Sequence, residues 1–174
     1  RRFCPLGISP WFASRRHLRF WLGLALVVCL LDQGIKTLAV ASLSYGVPVP
    51  MLPGFNLALL HNTGAAFSLL DDASGWQRWF LSGVAVVVGI GVAFWLSTID
   101  AGQRWAPLAL ALILGGAFGN LIDRLFLGYV VDFIEVYYDR WSWPAFNVAD
   151  AAISVGAVML IIRGPRARSF PSAD

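Results

Sequence analysis

Residues 105–124 read WAPLALALILGGAFGNLIDR. No charged side chain occurs from Trp105 to Ile122, and Asp123 and Arg124 follow at once. A helix that crosses the hydrocarbon core of a bilayer needs roughly 20 mostly apolar residues, and this run supplies them. The run is continuous and does not alternate with period two, which excludes a barrel strand. Gly115, Gly116 and Gly119 suit close packing against neighbouring helices. Asn120, Asp123 and Arg124 stand at i, i+3 and i+4, so they share a face at the far end of the run.

Working outward, three more runs have the same character. They cover about 20–41, 79–96 and 146–162. The first carries Asp32, Gln33 and Lys36 toward its far end, the second has no charge, and the last holds Asp150. The expectation is an α-helical integral membrane protein with four transmembrane helices, forming one membrane-embedded domain over 1–174. Composition agrees: only 13% of residues are charged and 58% are hydrophobic, whereas soluble domains carry about 25% charged residues.

The basic residues predict orientation. Arg1, Arg2, Arg15, Arg16 and Arg19 precede the first helix, Arg104 lies between the second and third, and Arg163, Arg166 and Arg168 follow the fourth. The opposite side has Lys36, Arg78, Arg124 and Arg140. Cytoplasmic loops collect Lys and Arg, so both ends of the chain are expected on the cytoplasmic side. Residues 1–19 read as a basic cytoplasmic leader, and the helix after them as a retained anchor rather than a removed signal peptide. Trp21, Trp76, Trp79, Trp105, Trp141 and Trp143 fall near helix ends, where interfacial anchors belong.

Two external segments remain, 42–78 and 125–145. The first holds Pro48, Pro50, Pro53 and Gly54 and suits short strands and turns, giving a small β-rich segment at the membrane surface. The second, rich in β-branched and aromatic residues, reads as a strand or a short amphipathic helix. Asp71 and Asp72 read as caps of a turn before the second helix.

Intramembrane ionisable groups are costly and usually mark function. Here they gather at one depth. Asp32 and Lys36, then Asn120, Asp123 and Arg124, then Asn147 and Asp150 all lie at external helix ends, with Asp132 in the external segment just before the fourth helix. Asp150 falls only about 6 Å inside that helix, within reach of water. A proton-coupled transporter would place such groups near the midplane and often show internal repeats, and neither feature is present. A non-catalytic scaffold would tolerate Asn at both Asp132 and Asp150.

Other chemistries find little support. His17 and His61 are far apart and no CxxC pair exists, so no metal site is expected. Cys4 in the leader and Cys29 in an apolar run are not expected to form a disulfide. Neither HExxH nor GxSxG occurs, and Ser68 and Ser154 are isolated from both histidines. Nucleic acid is a poor partner, because the basic residues flank apolar segments.

Four stretches together resemble the lipoprotein signal peptidase, or signal peptidase II, family. DQGIK at 32–36 is similar to the family's Asp-Gln-x-Ser/Thr-Lys motif, with Ile35 in place of the hydroxyl residue. HNTGAAFS at 61–68, GGAFGNLIDRLFLGYVVDFI at 115–134 and FNVADAAI at 146–153 resemble the other three, in order. The resemblance implies an aspartic endopeptidase of the bacterial inner membrane. Such enzymes cut diacylglyceryl-modified prolipoproteins just before the lipidated cysteine, near the periplasmic face. It implies Asp132 and Asp150 as the catalytic pair. Asn62, Gly64, Asn120, Asp123, Arg124, Phe146 and Asn147 become substrate-binding or site-orienting. Asp32 and Lys36, four residues apart on one helix, read as structural, satisfying one another. Two readings stay open for Asp123 and Arg124, a mutual ion pair or a substrate contact. Asn62 and Gly64 also fit a tight turn, and Glu135 and Asp139 fit solvated loop acids. No metal or organic cofactor is implied. Membrane lipids and cyclic peptide antibiotics are the other expected partners of a monomer.

Overall fold

The computed structural model describes residues 15–64 and 75–162. Readings that fall on Arg1, Arg2, Cys4, Ser68, Asp71, Asp72, Arg163, Arg166 and Arg168 lie outside the described residues. Helix α1 spans Arg15–Ser42, strands β1 and β2 span Val49–Leu52 and Phe55–Asn62, and α2 spans Trp76–Thr98. Helix α3 then covers Trp105–Phe126, β3 Val130–Tyr138, β4 Trp141–Ser142 and α4 Val148–Ile162.

Helices α1, α2 and α3 are each long and apolar enough to cross a membrane. All three outrun the apolar stretches that announce them. The described part of α1 already includes Arg15, Arg16 and Arg19, because charged residues at a bilayer surface can complete helical turns that an apolar count omits. Helix α3 continues through Asp123 to Phe126 because Asp123 is buried and paired rather than at a boundary. The described part of α4 has 15 residues, about 22 Å of helix.

Helix α3 is the centre of the bundle, packing on α1, α2 and α4. Of its apolar window 61% is buried, against 17% for α2. The outward face of α2 presents Val87, Ile90 and Phe94, a surface that only an apolar solvent suits. The glycines of 105–124 explain how three helices reach α3. A Cβ on Gly115 would lie 2.5 Å from the Ala25 carbonyl oxygen of α1, and one on Gly116 would strike the Ala149 carbonyl oxygen of α4. One on Gly119 would lie 2.5 Å from Asp32 Oδ2.

The two segments between helices form one antiparallel sheet of order β1-β2-β3-β4. Pro50 sits in edge strand β1, the position a sheet tolerates. The segment that left strand and amphipathic helix open is β3 and β4. A bulge interrupts the β2–β3 pairing: Leu57 faces Ile134 but Leu60 faces Asp132, so β2 carries one extra residue there. Strand β3 also bridges to the chain entering α4, through Ile134 and Phe146, with Phe146 N–H donating to the Ile134 carbonyl at 3.0 Å and Ile134 N–H donating back at 2.9 Å.

Overpacking a core typically costs about 1–3 kcal/mol, and backbone cannot yield as a side chain does. Gly116→Val is therefore expected to lower the melting temperature in detergent by several degrees, while Gly91→Val on α2, where an added Cβ meets nothing, is expected to leave it nearly unchanged. Equal melting temperatures would show that α3 and α4 do not meet at Gly116.

Candidate active site

Asp132 and Asp150 lie 18 residues apart in sequence, and two local devices bring them to one cavity. The first is the sheet. Leu60 faces Asp132 across β2–β3 and Asn62 faces Val130, so Asn62 and Asp132 are diagonal neighbours on one face. Asn62 Nδ2 donates to Asp132 Oδ2 at 3.0 Å. Its Oδ1 accepts from Gly64 N–H at 3.1 Å, so Asn62 serves a turn and a carboxylate at once.

The second device is the start of α4. Asn147 Oδ1 accepts from Asp150 N–H at 2.9 Å, and Asp150 Oδ2 accepts from Asn147 N–H at 3.2 Å. This is a reciprocal capping box whose N3 carboxylate is Asp150. Asn147 is fully buried, and its Nδ2 donates to Asp132 Oδ1 at 2.6 Å. The residue that caps the helix thus ties Asp132 to Asp150.

A third amide completes the support. Asn120 Nδ2 donates to Asp150 Oδ1 at 2.7 Å, and Asn120 Oδ1 accepts from Asn147 Nδ2 at 3.2 Å. Three asparagines from three elements therefore cradle two carboxyl groups with neutral donors. Burial pushes the Asp132 carboxyl up to about 7, and the nearby Asp150 carboxylate adds to the effect. The amides of Asn62 and Asn147 and the Lys36 ammonium pull the other way. Like charges held together cannot both ionise easily, so a proton is retained by the pair.

Beneath the cradle lies an ion cluster. Lys36 Nζ is 2.9 Å from Asp32 Oδ2 and 2.8 Å from Asp123 Oδ2. The 32–36 pairing is as its spacing suggests, but Asp123 joins it. The ion pair between Asp123 and Arg124 is not formed: Asp123 turns inward to Lys36, while Arg124 Nη2 donates to the Gly64 carbonyl at 3.1 Å. Neighbouring positions on a helix point about 100° apart, so the two side chains diverge. Gln33, named in the sequence beside Asp32 and Lys36 but given no role, donates Nε2 to Asp123 Oδ1 at 2.8 Å and to the Gly119 carbonyl at 3.1 Å. Its place one residue after Asp32 in a polar stretch was the available signal. Glu135 is tied to the sheet by Asn56 Nδ2 at 2.8 Å.

The carboxyl groups open onto a cavity of about 760 Å³. Asn62, Asn120, Arg124 and Phe146 line it with Asp132 and Asp150, whereas Gly64, Asp123 and Asn147 act from behind the wall. Trp143, Pro144, Ile153 and Val155 complete much of its apolar side, and Ser154 lines it beside them. Ile153 and Ser154 stand at i+3 and i+4 from Asp150, so helical spacing alone could have named them. His61 also lines the cavity, stacked on Tyr129 with centroids 3.9 Å apart, and its burial pushes the imidazole down. Among the described residues no cluster of His, Cys, Asp and Glu could hold a metal ion.

Fold and site together define a mostly helical integral membrane protein with a small antiparallel sheet and a paired-carboxylate cavity at one end of its bundle. The model of the signal peptidase (SPase) II family matches residues 24–164, and the chain belongs to that family. A lipoprotein signal peptidase of Acinetobacter baumannii is 53% identical over 146 residues, covering 84% of this chain and 83% of the relative. Another, of Cupriavidus taiwanensis, is 54% identical, covering 82% and 80%, and one of Vibrio vulnificus is 48% identical, covering 84% and 88%. Two solved structures of bacterial membrane enzymes share the fold at 24% identity, with TM-scores of 0.71 and 0.67. They cover 89% of this chain and 91% and 96% of their own.

The raised Asp132 pKa has a consequence for stability. An unfolded aspartate loses its proton near about 3.9, the folded one near about 7. Between these values the folded state binds more protons, so stability falls as pH rises through the window. Asp132→Asn removes this dependence. Its melting temperature relative to wild type is expected to rise from pH 5 to pH 8, and a difference that stays flat would mean that Asp132 titrates normally.

Proposed function

We propose that this protein is an aspartic endopeptidase that removes signal peptides from diacylglyceryl-modified prolipoproteins, cutting just before the lipidated cysteine, with Asp132 and Asp150 as its catalytic pair. The observation that carries the reading is the convergence of these two carboxyl groups, cradled by Asn62, Asn120 and Asn147, on one cavity. Amide hydrolysis by such a pair needs one retained proton and one water. A carboxylate takes a proton from the water while its protonated partner donates a hydrogen bond to the scissile carbonyl oxygen. The water oxygen bonds to the carbonyl carbon. As the C–N bond breaks, the leaving nitrogen takes a proton from the pair. Base and acid belong to the pair as a unit. The Arg124 guanidinium in the wall suits a contact to substrate carbonyl oxygens.

The remaining parts of the proposal follow from depth and charge. Helix α4 is taken as a fourth span. Arg15, Arg16, Arg19 and Arg104 are taken to mark the cytoplasmic end, with both ends of the chain on that side and the cavity near the periplasmic face of the bacterial inner membrane. A signal peptide, apolar at its centre, would lie along the bundle in the bilayer, with its cleavage site at the level of the carboxylates. Ile153 and Val155 offer apolar wall on α4, and the diacylglyceryl chains stay among the membrane lipids. Cyclic peptide antibiotics that inhibit family members are expected to occupy the same cavity. The unit is taken to work as a monomer, without metal or organic cofactor.

Incubating the purified protein in detergent with a diacylglyceryl-modified prolipoprotein is expected to release the signal peptide, read as a gel shift. Asp132→Asn and Asp150→Asn are each expected to lower the rate by about 100- to 10,000-fold, the range for loss of a positioned acid or base. A folded variant that keeps most of its activity would remove that residue from the pair. The wild-type rate should also fall as pH rises through about 7, where the retained proton leaves. A rate still climbing at pH 9 would show that no carboxyl proton is needed.

A further inference from the structure

The Lys36 ammonium touches neither Asp132 nor Asp150, yet its three donors are all committed in the layer beneath them. It reaches Asp32 Oδ2 at 2.9 Å, Asp123 Oδ2 at 2.8 Å and Asn120 Oδ1 at 2.9 Å. Lys36 is only 3% exposed, so water does not compete. The third contact matters most. An asparagine amide has an oxygen side that accepts and a nitrogen side that donates, and a half-turn about its last bond exchanges them at almost no steric cost. The oxygen of Asn120 faces two donors, Lys36 Nζ and Asn147 Nδ2, while its nitrogen faces Asp150 Oδ1. The flipped amide would press an NH2 group against an ammonium and turn an oxygen lone pair toward a carboxylate.

We propose that Lys36 is a positioning residue for the reaction: clamped between Asp32 and Asp123, it fixes the orientation of the Asn120 amide so that Asp150 receives a hydrogen bond. This rests on the proposed peptidase activity and adds to the pairing of Lys36 with Asp32 a duty toward the catalytic pair. The clamp is built from every side. Asp32 Oδ1 accepts from Ala149 N–H at 2.9 Å, and Asp123 is held by Gln33 Nε2 and by Val131 N–H at 3.1 Å. The ammonium therefore stands at a fixed place relative to Asn120. The titratable groups around it are Asp32 and Cys29 on its own helix, Asp123 on α3, Asp132 on β3 and Asp150 on α4.

The test compares full-length wild type, Lys36→Met, Asn120→Ala and their double variant with a diacylglyceryl-modified prolipoprotein, together with Asp32→Asn/Lys36→Met. That last variant leaves the net charge unchanged and keeps an acceptor for Ala149 N–H, so it guards against simple unfolding of the unpaired site. Lys36→Met is expected to lower kcat by about 10- to 100-fold, the scale of one hydrogen bond to a charged group, with KM within about twofold. Asp32→Asn/Lys36→Met should lose a similar factor, with its pH profile less displaced than that of Lys36→Met, because the charge near the pair is restored. In the Asn120→Ala background, Lys36→Met should cost little more, since its effect passes through that amide. Losses that multiply in the double variant, or a folded lysine-free variant with wild-type kcat, would overturn the inference while leaving the peptidase reading intact. Absence of cleavage by folded wild type would sink both.

Discussion

One buried ammonium holds the structure together where its parts meet. Lys36 of α1 sits between Asp32 of the same helix and Asp123 of α3. Each carboxylate also reaches a backbone N–H beyond the pair: Asp32 that of Ala149 in the first turn of α4, Asp123 that of Val131 in β3. Three helices and the sheet are thus referenced to one cation. Removing one partner of such a cluster leaves an uncompensated buried charge, at about 3–5 kcal/mol. Two carboxylates against one ammonium leave a negative balance, which the positive N-terminal end of α4 helps to offset. The glycine face of α3 makes this geometry reachable, since a Cβ at Gly119 would occupy the place of the Asp32 carboxylate.

The proposed catalytic pair hangs from this cluster by short-range devices. The bulge in β2 shifts the register so that Asn62 and Asp132 share a face. The Ile134–Phe146 bridge then returns the chain beside β3 as α4 begins, which leaves Asn147 free to cap the helix and hold Asp132 together. Asp150 gains its position from an ordinary capping box. A motif that elsewhere only stabilises a helix terminus here fixes a reactive carboxylate with no additional framework.

Much of this was legible in the sequence, for physical reasons that differ by element. The spans of α1 to α3 follow from continuous apolar runs that a bilayer demands, and the gathering of polar side chains at helix ends follows from the cost of burying them. The sheet was foreseen in part, because Pro53 and Gly54 announce the turn between β1 and β2, while 125–145 stayed open between strand and helix. Pairing was the harder part. Spacing on one helix offered Arg124 as a neighbour for Asp123, yet the true partner, Lys36, lies on another helix. Gln33 drew no role for the same reason, since its contacts with Asp123 and Gly119 are interhelical. Periodicity reports which side chains share a face of one element. It does not report which faces of two elements meet.

The separation between cation and carboxyl pair has its own chemical logic. Had the Lys36 ammonium contacted Asp132 and Asp150 directly, it would have favoured ionisation of both, and a fully ionised pair has no proton to offer a carbonyl oxygen. Had no cation been near, Asp32 and Asp123 would have added two negative charges beneath the carboxyl pair. Interposing the neutral amide of Asn120 resolves the conflict. The ammonium offsets part of the charge of the layer below, and its influence reaches the pair as an orientation more than as a charge. The direct neighbours of the carboxyl groups are amides, which hold oxygen atoms in place without dictating where the proton sits. Burial then sets the proton's affinity, lifting Asp132 to about 7, where a shared proton can be kept or released at neutral pH.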